Sequence, residues 1–549
     1  MANISFYGSH NAAYVVEDKG EILLVLEVER FLNYKNSGMA QYKTAKVQDL
    51  DFLSKFIPNY IMNKLGIKEF ETCYYLNTDV IHDNVVYFLH EGIPAKKYEV
   101  VNHHVSHAAG TFYQSPHKEA LVFSFDGGGN DGKFNVYKAN RKSSVELLEQ
   151  VQNPIHDNNH IGYDLGFPYM VFGHFLKDIN FEALSEGNLV YSGKLMGLAS
   201  YGKVRKRWLK HFIDFYKSDP NGINYREKLE ILGSKIKVDF SESSTTGMPV
   251  NRLEGQIAYD VAATSQKAFE ECFLEIAKPY FEKYPNLPIC ITGGCGLNII
   301  LNTRLVNEFK KEVFVGPNPN DCGIALGMIL HNLKPKNPID ITYSGTELLD
   351  FDLLARHIQT SDVPFQSYNL DIKEIVKELS QGKIIGVARE RAEHGPRALG
   401  NRSILCNPSF PKMKDILNEK VKHREWYRPF APVVRLEDVN KYFEWEQESR
   451  WMSFCPTVKK EWRKKLKAIT HVDGTARVQT VTKEQNPWLY NLLTLFEKET
   501  GIGVLLNTSF NIAGSPILSS VSDAFKLFKE SEMDSLIIED YYFKKVKWY

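Results

Sequence analysis

The sequence predicts a mixed α/β fold divided into two domains, and three observations lead to this prediction. Segments with strand-like alternation and segments with helical spacing follow one another along the 549 residues. Glycine-rich turns come directly after apolar, strand-like segments at residues 126–132 and 293–298. Residues 335–346 contain prolines and polar residues without periodicity, as a linker does. We therefore expect domains at residues 1–345 and 346–549.

The first predicted domain consists of two similar cycles of strands and helices. In the first cycle, we expect strands at residues 4–7, 12–16, 22–27, 72–76 and 120–125, and helices at residues 50–65 and 103–113. In the second, we expect strands at residues 288–292 and 312–315, and helices at residues 257–284, 297–308 and 322–333. Two halves of this kind are typical of an actin-like nucleotide-binding fold, although short doubly wound domains give the same pattern.

The second predicted domain is also α/β. After residue 366 the expected order is strand, helix and a strand at residues 383–388. A polar, arginine-rich loop follows, and a further apolar strand is expected at residues 503–507. The loop and the end of the last strand therefore carry the polar groups that could form a site.

Composition excludes several classes of protein. Lysine plus arginine (67) equals aspartate plus glutamate (67), so no overall charge attracts nucleic acid or anionic membrane. The seven cysteines form no CxxC pair, which argues against a disulfide framework and a cysteine zinc site. The N-terminus lacks the pattern of a signal peptide, and no run reaches the roughly 18 apolar residues of a membrane span. We therefore expect a cytoplasmic protein that does not associate with membranes.

Two histidines and one aspartate form a candidate metal site. His103 and His107 are four residues apart, so a helix places both imidazoles on one face. Asp321 stands at a strand-to-helix turn and is the expected third ligand. The alternative is that the histidines are structural and that Asp321 is a helix N-cap.

The two glycine-rich turns are candidate nucleotide sites. At residues 126–132, glycines such as Gly128 would let backbone N–H groups approach phosphate oxygens, while Asp126 and Asp131 would hold a phosphate-bound cation. At residues 293–298, Gly294 opens a helix and Asn298 lies within reach of a ribose or phosphate. Plain hairpin turns are the alternative for such segments.

Cations and small polar residues are concentrated in the second domain. Loops stiffened by glycine and proline can hold cationic side chains in fixed positions, from which they bind phosphates in a bidentate manner. The cluster comprises Arg389, Arg391, Arg397, Arg402, Lys422, Arg424 and Arg428. Asn507 and Ser509 follow the last strand and suit an acyl-phosphate or adenylate site. The alternatives are a solvated basic face and simple turn capping.

Four motifs, read together, resemble the O-carbamoyltransferase family of nodulation-factor and antibiotic-tailoring enzymes. They are EHGPRALGNRSIL at residues 393–405, RPFAP at 428–432, THVDGTAR at 470–477 and LNTSFN at 506–511. The resemblance extends from Gly8 nearly to the C-terminus. Two departures stand out, because Asn11 follows His10 where the family usually has aspartate, and Ser515 follows Gly514 where it usually has glutamate.

The resemblance implies an N-terminal actin-like (ASKHA) ATPase-type domain and a C-terminal YrdC-like domain. In that family the YrdC-like domain converts carbamoyl phosphate and ATP, with Mg²⁺, to carbamoyl-adenylate with loss of pyrophosphate. The actin-like domain then passes the carbamoyl group to an acceptor hydroxyl and carries a divalent metal, expected to be Fe²⁺.

The resemblance also implies roles for individual residues. Those expected to bind carbamoyl phosphate and the adenylate are Arg397, Lys422, Arg428, Arg477 and Ser509. Those expected at the metal are His103, His107 and Asp321, with Asp126 beside them, and Asn298 is expected to contact the nucleotide. We further expect His10 to accept the proton of the acceptor hydroxyl.

The acceptor is not fixed by the motifs. In falling order of preference it is a sugar, a natural product or a hydroxymethylated base in nucleic acid, so a small molecule is favoured over modified DNA. Acceptor choice is expected to depend on loops at residues 153–190. Related enzymes are often dimers, which makes a homodimer a further expectation. The competing functions are an actin-like kinase or ATPase and a nucleotide-controlled binding module without turnover.

Overall fold

The computed structural model describes residues 1–36, 52–76, 91–151, 164–179, 188–217, 225–243, 248–361 and 364–546. These residues form three β-sheets with helices packed between and around them. Among them, no helix combines the length and the apolar character that crossing a bilayer requires.

The first sheet has five strands in the order β3-β2-β1-β4-β5. Its strands are β1 (Asn3–Tyr7), β2 (Ala13–Asp18), β3 (Glu21–Glu27), β4 (Phe70–Tyr75) and β5 (Ala95–Val100). β1, β2 and β3 form an antiparallel meander, whereas β4 and β5 continue from β1 in parallel. Residues at the carboxyl end of β1 therefore lie beside the turn that leads to β2.

The second sheet repeats this topology. Its order is β10-β9-β6-β7-β8. Its strands are β6 (Glu119–Gly129), β7 (Gly132–Asn140), β8 (Val145–Val151), β9 (Ile289–Thr292) and β10 (Val313–Phe314). β6, β7 and β8 are antiparallel, and β9 and β10 continue from β6 in parallel. Two sheets of identical strand order confirm the prediction of two similar halves and of an actin-like N-terminal fold.

Two helices pack between these sheets and bring their N-termini together. They are α3 (His103–Gln114) and α10 (Ile324–Leu333), and their side chains share one apolar core with both sheets. Their closest approach is at glycines, because a Cβ on Gly327 would lie 1.9 Å from the Ser106 carbonyl oxygen. This tight crossing fixes the histidines at the start of α3 next to the turn that precedes α10.

The remaining helices of the N-terminal part surround the second sheet and the edge of the first. They are α1 (Val28–Leu32), α2 (Ile57–Leu65), α4 (Gly166–Phe175), α5 (Tyr191–Ala199), α6 (Lys206–Tyr216), α7 (Tyr225–Ile236), α8 (Gln256–Lys283) and α9 (Ile299–Phe309). The predicted helix at residues 50–65 is a π-helical turn (Phe52–Phe56) that runs into α2, and residues 50 and 51 lie outside the described part.

The third sheet has eight strands in the order β11-β18-β17-β12-β13-β16-β14-β15. Its strands are β11 (Phe365–Asn369), β12 (Ile385–Ala388), β13 (Arg402–Cys406), β14 (Ala431–Arg435), β15 (Gln479–Val481), β16 (Val504–Ser509), β17 (Ser535–Ile538) and β18 (Tyr541–Lys545). The pairs β12–β17 and β14–β15 are parallel, and the other neighbours are antiparallel.

Six helices of the C-terminal part, besides 3₁₀ and π turns, accompany this sheet among the described residues. They are α11 (Leu354–Gln359), α12 (Ile372–Ser380), α13 (Met413–Ile416), α14 (Val439–Tyr442), α15 (Pro487–Thr500) and α16 (Val521–Glu530). The mixed α/β class is thus confirmed for both parts. The division at residue 345 stays a prediction; the first two sheets end at Phe314 and the third begins at Phe365.

The turn at residues 126–132 is part of a β-hairpin rather than a separate loop. β6 extends through the glycines to Gly129, which pairs with Gly132 at the start of β7. The hairpin that the sequence left open as an alternative is therefore the observed structure, and it leaves Asp126 near the end of β6.

Candidate active site

One cavity of about 1240 Å³ lies between the N-terminal and C-terminal parts. The N-terminal part contributes His10, Asp126 and Asp321 to its lining. The C-terminal part contributes a set of cations that includes Arg397 and Arg477. The C-terminal wall is therefore rich in cations, whereas the N-terminal wall combines carboxylates with an imidazole.

At the N-terminal wall lies a cluster of His103, His107, Asp126 and Asp321, which we call the acid–histidine cluster; the two aspartates line the cavity and the two histidines are buried behind them. One ligand atom from each residue lies within 4.8 Å of all the others. His107 Nε2 is 3.2 Å from His103 Nε2 and 3.4 Å from both Asp126 Oδ2 and Asp321 Oδ1. The predicted metal ligands are thus brought together, and Asp126 joins them.

Local structure holds each member of this cluster in place. The two histidines occupy successive turns at the start of α3. The Asp126 carboxylate accepts hydrogen bonds from the backbone N–H groups of Gly127 and Gly294, both 2.6 Å long. A Cβ on Gly294 would lie 2.9 Å from Asp126 Oδ1, so glycine permits this approach. The second glycine-rich turn therefore orients Asp126, and its Gly294 amide is engaged in doing so.

Charge within the cluster favours ionised carboxylates. Burial raises the pKa of Asp126, as does the charge of Asp321, but hydrogen bonds from the two histidines lower it to a net value below the usual range. Burial lowers the pKa of His107, but the two carboxylates raise it to about 9. Two imidazoles and two carboxylates are a donor set that suits Fe²⁺ and similar divalent ions, so these residues fit the metal that the family resemblance implies.

His10 and Tyr7 contact the outer oxygen of Asp321. His10 Nε2 lies 3.0 Å from Asp321 Oδ2, and the Tyr7 hydroxyl donates to the same oxygen over 2.5 Å. The His10 side chain is 34% exposed and lines the cavity. Burial lowers the pKa of His10, whereas the Asp321 carboxylate raises it, with a net value of about 9.

His104, which lies between the two predicted ligands, has a structural role. Its Nε2 donates to the Gly132 carbonyl over 2.9 Å, which leaves Nδ1 to accept from the Ser124 hydroxyl at 2.8 Å. Burial lowers its pKa to about 4, so the ring is neutral near pH 7. It ties α3 to the hairpin that carries Asp126.

The C-terminal wall contains Arg397, Lys422, Arg424, Arg428 and Arg477, which we call the arginine wall. Within the described residues, Arg397 and Arg477 have neither a hydrogen-bonding nor an ion-pairing partner. Burial lowers the pKa of Arg397 to about 10, and the charge of Arg428 adds to this effect. Burial also lowers the pKa of Arg477, reinforced by Arg397 and Arg428. These cations destabilise one another, which an anionic ligand would relieve.

Lys422 is buried and points at the end of β16. Its ammonium group donates to the carbonyl oxygens of Ser509 and Asn511, each at 2.7 Å. It also donates to Asn511 Oδ1 at 2.5 Å and lies 3.2 Å from Ser509 Oγ. The predicted pair of Lys422 and Ser509 is therefore in direct contact.

The other two arginines of the wall have protein partners. Arg424 donates to Asn418 Oδ1 over 2.7 Å and stacks 4.2 Å from the centre of the Phe430 ring. Arg428 lies 3.3 Å from Glu425, whose second oxygen pairs with Lys194 at 2.7 Å. Arg428 keeps 36% of its side chain exposed, so part of its guanidinium remains open to the cavity.

Asn507 belongs to the cavity lining and carries one buried acceptor that is unpaired in the described part of the chain. Its amide nitrogen donates to the Ala398 carbonyl at 3.1 Å and to Gln479 Oε1 at 2.6 Å. Its Oδ1 is buried and has no hydrogen-bond partner among the described residues.

The structure corrects the view that all seven cations of the sequence cluster clamp a ligand. Arg402 is fully buried, and its guanidinium donates to backbone carbonyls of Arg389, Glu390 and Asn401. Arg391 donates to the carbonyls of residues 344 and 345, and Arg389 lies over the Trp488 ring. Arg391 and Arg402 hold the loop together because a guanidinium can satisfy several carbonyls at once, whereas Arg389 pairs with Asp540 away from the cavity.

Of two predicted nucleotide contacts, Asn298 has protein partners and Gly128 lies outside the cavity lining. Asn298 caps α9, where its Oδ1 accepts from the Leu301 N–H at 3.0 Å and its amide pairs with Gln266. Gly128 is exposed at the hairpin and does not belong to the cavity lining, whereas Gly127 does. Ligand contacts at Asn298 and Gly128 stay predictions.

Sequence reasoning missed Tyr7, Asn511 and Lys194. Tyr7 ends an apolar strand, and its surroundings in the sequence are typical of a core residue. Its position just before the turn to His10 could have indicated that it lies near the site. Asn511 lies two residues beyond Ser509 in the same motif. Lys194 is on α5, far from the arginine-rich segment in sequence, and no local pattern marks it.

Comparisons with known proteins agree with this arrangement of two parts. A family model described as Carbamoyltransferase N-terminus matches residues 41–330, and one described as Carbamoyltransferase C-terminus matches residues 376–545. Nodulation protein NolNO of Sinorhizobium fredii is 30% identical over 98% of this chain and 79% of its own length. The 3'-hydroxymethylcephem-O-carbamoyltransferase of Streptomyces clavuligerus is 32% identical over 65% of each chain. Full-length HypF in its phosphate- and nucleotide-bound form is 14% identical, with a TM-score of 0.35 over 60% of this chain and 46% of HypF.

Proposed function

This chain belongs to the carbamoyltransferase family and is therefore an enzyme, and from that premise we propose that it uses ATP to move a carbamoyl group from carbamoyl phosphate to a hydroxyl of an acceptor. The name of one relative supports a hydroxyl acceptor, because it describes O-carbamoylation of a hydroxymethyl group.

The observation that carries the proposal is the pair of unpartnered arginines in the cavity. Arg397 and Arg477 are half-buried cations that repel each other in the described structure. Fixed guanidinium groups without partners are costly unless they bind an anion, and they bind phosphates in a bidentate manner. Carbamoyl phosphate and the phosphates of ATP are anions of this kind. Mg²⁺ would accompany ATP as its counter-ion.

The first half-reaction belongs at the arginine wall. Carbamoyl phosphate takes up water and releases phosphate, which leaves carbamate. A carbamate oxygen then attacks the α-phosphorus of ATP, and the bond to the β-phosphate breaks with departure of pyrophosphate. Arg397, Arg428 and Arg477 would neutralise the phosphate charge that develops. Lys422 would act with Ser509, which it already contacts, at the end of β16.

The second half-reaction belongs at the opposite wall. The acceptor hydroxyl oxygen attacks the carbamoyl carbon of the adenylate and AMP departs. The neutral form of His10 takes the hydroxyl proton, and the pKa of about 9 beside Asp321 makes this form increase as the pH rises above neutral. Asp321 stands behind His10 and orients the imidazole. His103, His107, Asp126 and Asp321 would hold a divalent metal, proposed to be Fe²⁺. When bound, the metal would supply Lewis-acid polarisation of an oxygen of the carbamoyl-adenylate.

A shared cavity supports direct passage of the activated carbamoyl group. Both walls border the same space, so the intermediate need not enter bulk water between the two half-reactions. This matters because an acyl-adenylate reacts with water. Enclosure of the intermediate is therefore part of the proposal.

A small hydroxyl-bearing molecule is the proposed acceptor. Of the loops at residues 153–190 that were expected to select it, residues 153–163 and 180–187 lie outside the described residues. Neither a nucleic-acid acceptor nor a homodimer gains support from the described contacts, and neither forms part of the proposal.

The test is an assay of nucleotide products without acceptor. Wild type, Arg397→Ala and Arg389→Ala would be incubated with ATP, Mg²⁺ and carbamoyl phosphate, and AMP, ADP and pyrophosphate would be resolved. Arg389 is the matched control because its guanidinium lies over Trp488 outside the cavity. We expect pyrophosphate release that depends on carbamoyl phosphate, that is kept in Arg389→Ala and that is lost in Arg397→Ala.

Other products would favour the competing functions. ADP release indifferent to carbamoyl phosphate would support the kinase or ATPase. That function has weaker structural support, because the Gly294 amide already donates to Asp126 and Asn298 is a helix cap. Absence of nucleotide turnover would support the binding module.

A further inference from the structure

The loop that carries Arg397 begins with three buried residues that contact the N-terminal part from two sides. Glu393 and His394 are 0% and 1% exposed, and Gly395 follows them. We call these three residues the joint. None of the three belongs to the cavity lining in the described part of the chain, so they act through contacts with other residues.

His394 makes the contact nearest to the acid–histidine cluster. Its Nε2 donates to the Cys322 carbonyl over 3.0 Å, and Cys322 directly follows Asp321 in the chain. Its Nδ1 lies 3.4 Å from the Asn318 amide nitrogen, which donates to it. Burial lowers the pKa of His394 to about 4, consistent with a neutral ring in this tautomer. The hydrogen bond from His394 to Cys322 thus links two loops: Cys322 is next to Asp321, and His394 is three residues before Arg397.

The network continues from Asn318 to α3. Asn318 Oδ1 accepts from the Gln114 side chain over 3.0 Å, and Gln114 is the last residue of α3. The same loop that holds Asp321 is therefore tied both to the helix of His103 and His107 and to the joint. Each tie is buried, where a hydrogen bond is stronger than in water.

Arg30 makes the second contact with the joint. It is buried on α1, donates to the Glu393 carbonyl over 2.6 Å and also donates to the Gly395 carbonyl. Its Nε lies 2.9 Å from Glu27. Gly395 has a φ of +114°, and a Cβ there would lie 2.2 Å from the Pro317 carbonyl oxygen. Glycine is therefore required for this close approach.

Glu393 braces the loop that carries Arg397 by hydrogen bonds to its backbone. Its Oε1 accepts from the backbone N–H groups of Leu399, Asn401 and Arg402, at 2.6, 2.8 and 3.2 Å. These donors lie just beyond Arg397. A displacement of the joint would consequently move Arg397 rather than be absorbed by the loop.

We propose that His394 is a positioning residue that fixes Arg397 relative to Asp321, so that the activated carbamoyl group formed at one wall is sheltered and aligned for the other. This inference rests on the proposed function. A displacement of about 1 Å between reacting groups is enough to lower a reaction rate about 100-fold. Loss of a single buried contact between the two loops can therefore lower the rate of carbamoyl transfer.

The first experiment measures whether the two loops move together. Backbone hydrogen–deuterium exchange would be followed in wild type, His394→Ala, His394→Gln and His357→Ala, with and without inorganic pyrophosphate as the probe of the arginine wall. Glutamine can still donate to the Cys322 carbonyl, so it is the conservative variant. His357 contacts Ser522 at 2.9 Å, away from the joint, and serves as the control.

We expect pyrophosphate to slow exchange at residues 318–324 in wild type, His394→Gln and His357→Ala, and not in His394→Ala. Equal protection in His394→Ala would overturn the inference while leaving the proposed function intact. Failure of wild type to bind pyrophosphate would remove the anion site itself and would overturn both.

The second experiment uses turnover without acceptor. Carbamoyl-phosphate-dependent exchange of labelled pyrophosphate into ATP reports formation of the adenylate, whereas AMP release reports its loss to water. We expect the ratio of AMP release to exchange to rise about tenfold in His394→Ala and to stay near the wild-type ratio in His394→Gln. A merely structural role would lower both rates together and leave the ratio unchanged, and that result would overturn the inference.

Discussion

The two walls of the cavity are organised in opposite ways. In the acid–histidine cluster, every candidate ligand atom lies close to the others, and Asp321 also contacts His10 and Tyr7. In the arginine wall, Arg397 and Arg477 have no partner within the described residues and repel each other. The first wall is a compact set of donors suited to one small cation. The second is an open set of cations suited to an extended anion.

This difference suggests how one cavity can support two half-reactions. A carbamoyl-adenylate has an anionic phosphate at one end and a neutral carbamoyl group at the other. Its phosphate is attracted to the arginine wall, whereas the carboxylates of the acid–histidine cluster are balanced by imidazoles and offer the phosphate no comparable attraction. The charge distribution therefore favours one orientation of the proposed intermediate, with the carbamoyl carbon facing His10.

The largest expected effect tests the arginine wall directly. We expect Arg397→Ala to lower carbamoyl-phosphate-dependent pyrophosphate release by about 10²–10³-fold, the effect typical of removing one fixed donor at a developing negative charge. Steady-state kinetics would measure it. Arg397→Lys should recover only part of the rate, because lysine keeps the charge but cannot bind a phosphate in a bidentate manner. A full rate in Arg397→Ala would place the first half-reaction elsewhere.

The next prediction tests whether the two walls separate the half-reactions. We expect His107→Ala to lose the bound metal while keeping carbamoyl-phosphate-dependent pyrophosphate exchange within about threefold of wild type, since that exchange needs only the opposite wall. Metal content would be measured by elemental analysis after loading with Fe²⁺. His331→Gln is the matched control, because His331 lies near the far end of α10 from Asp321. Equal loss of exchange and metal would show that the walls do not act separately.

Sequence reasoning was most successful where function depends on spacing within one element or motif. His103 and His107 share a helical face because they are four residues apart, and Asp321 reaches them because its turn precedes the helix that packs on α3. The repeated order of strands and helices likewise predicted the two similar sheets. These features follow from local periodicity, which a single sequence contains.

It was less successful where identical side chains have different surroundings. Arg397 and Arg402 lie five residues apart in one motif, yet only the first faces the cavity, while the second satisfies backbone carbonyls in the interior. Asn298 caps a helix, a role that its place in a glycine-rich turn did not indicate, and its contact with the nucleotide stays a prediction. Which carbonyls need donors depends on how distant segments pack, and no local pattern encodes that.

The buried joint between the walls gives a prediction on pH and stability. His394 has a folded pKa near 4, below the usual 6.5, so the unfolded chain takes up a proton that the folded chain does not as pH falls from about 6.5 to 4. The free energy of unfolding should therefore drop by about 2 kcal/mol at pH 5 because of this residue. Denaturant unfolding of wild type and His394→Gln at pH 7.5 and 5 would measure the difference. An equal drop in both proteins would contradict the prediction.

The smallest expected effect concerns the stability of the arginine wall without ligand. Arg477 has no partner among the described residues and is repelled by Arg397 and Arg428, so Arg477→Ala should raise the free energy of unfolding by about 0.5–1 kcal/mol while it impairs anion binding. Arg402→Ala should instead lower the free energy of unfolding, by about 3 kcal/mol, because it leaves several buried carbonyls without a donor. Thermal unfolding with and without pyrophosphate would separate the two, since the ligand should stabilise wild type and Arg402→Ala more than Arg477→Ala. Destabilisation by Arg477→Ala in the absence of ligand would mean that this arginine has a structural role, and the contrast between an open and a compact wall would then be wrong.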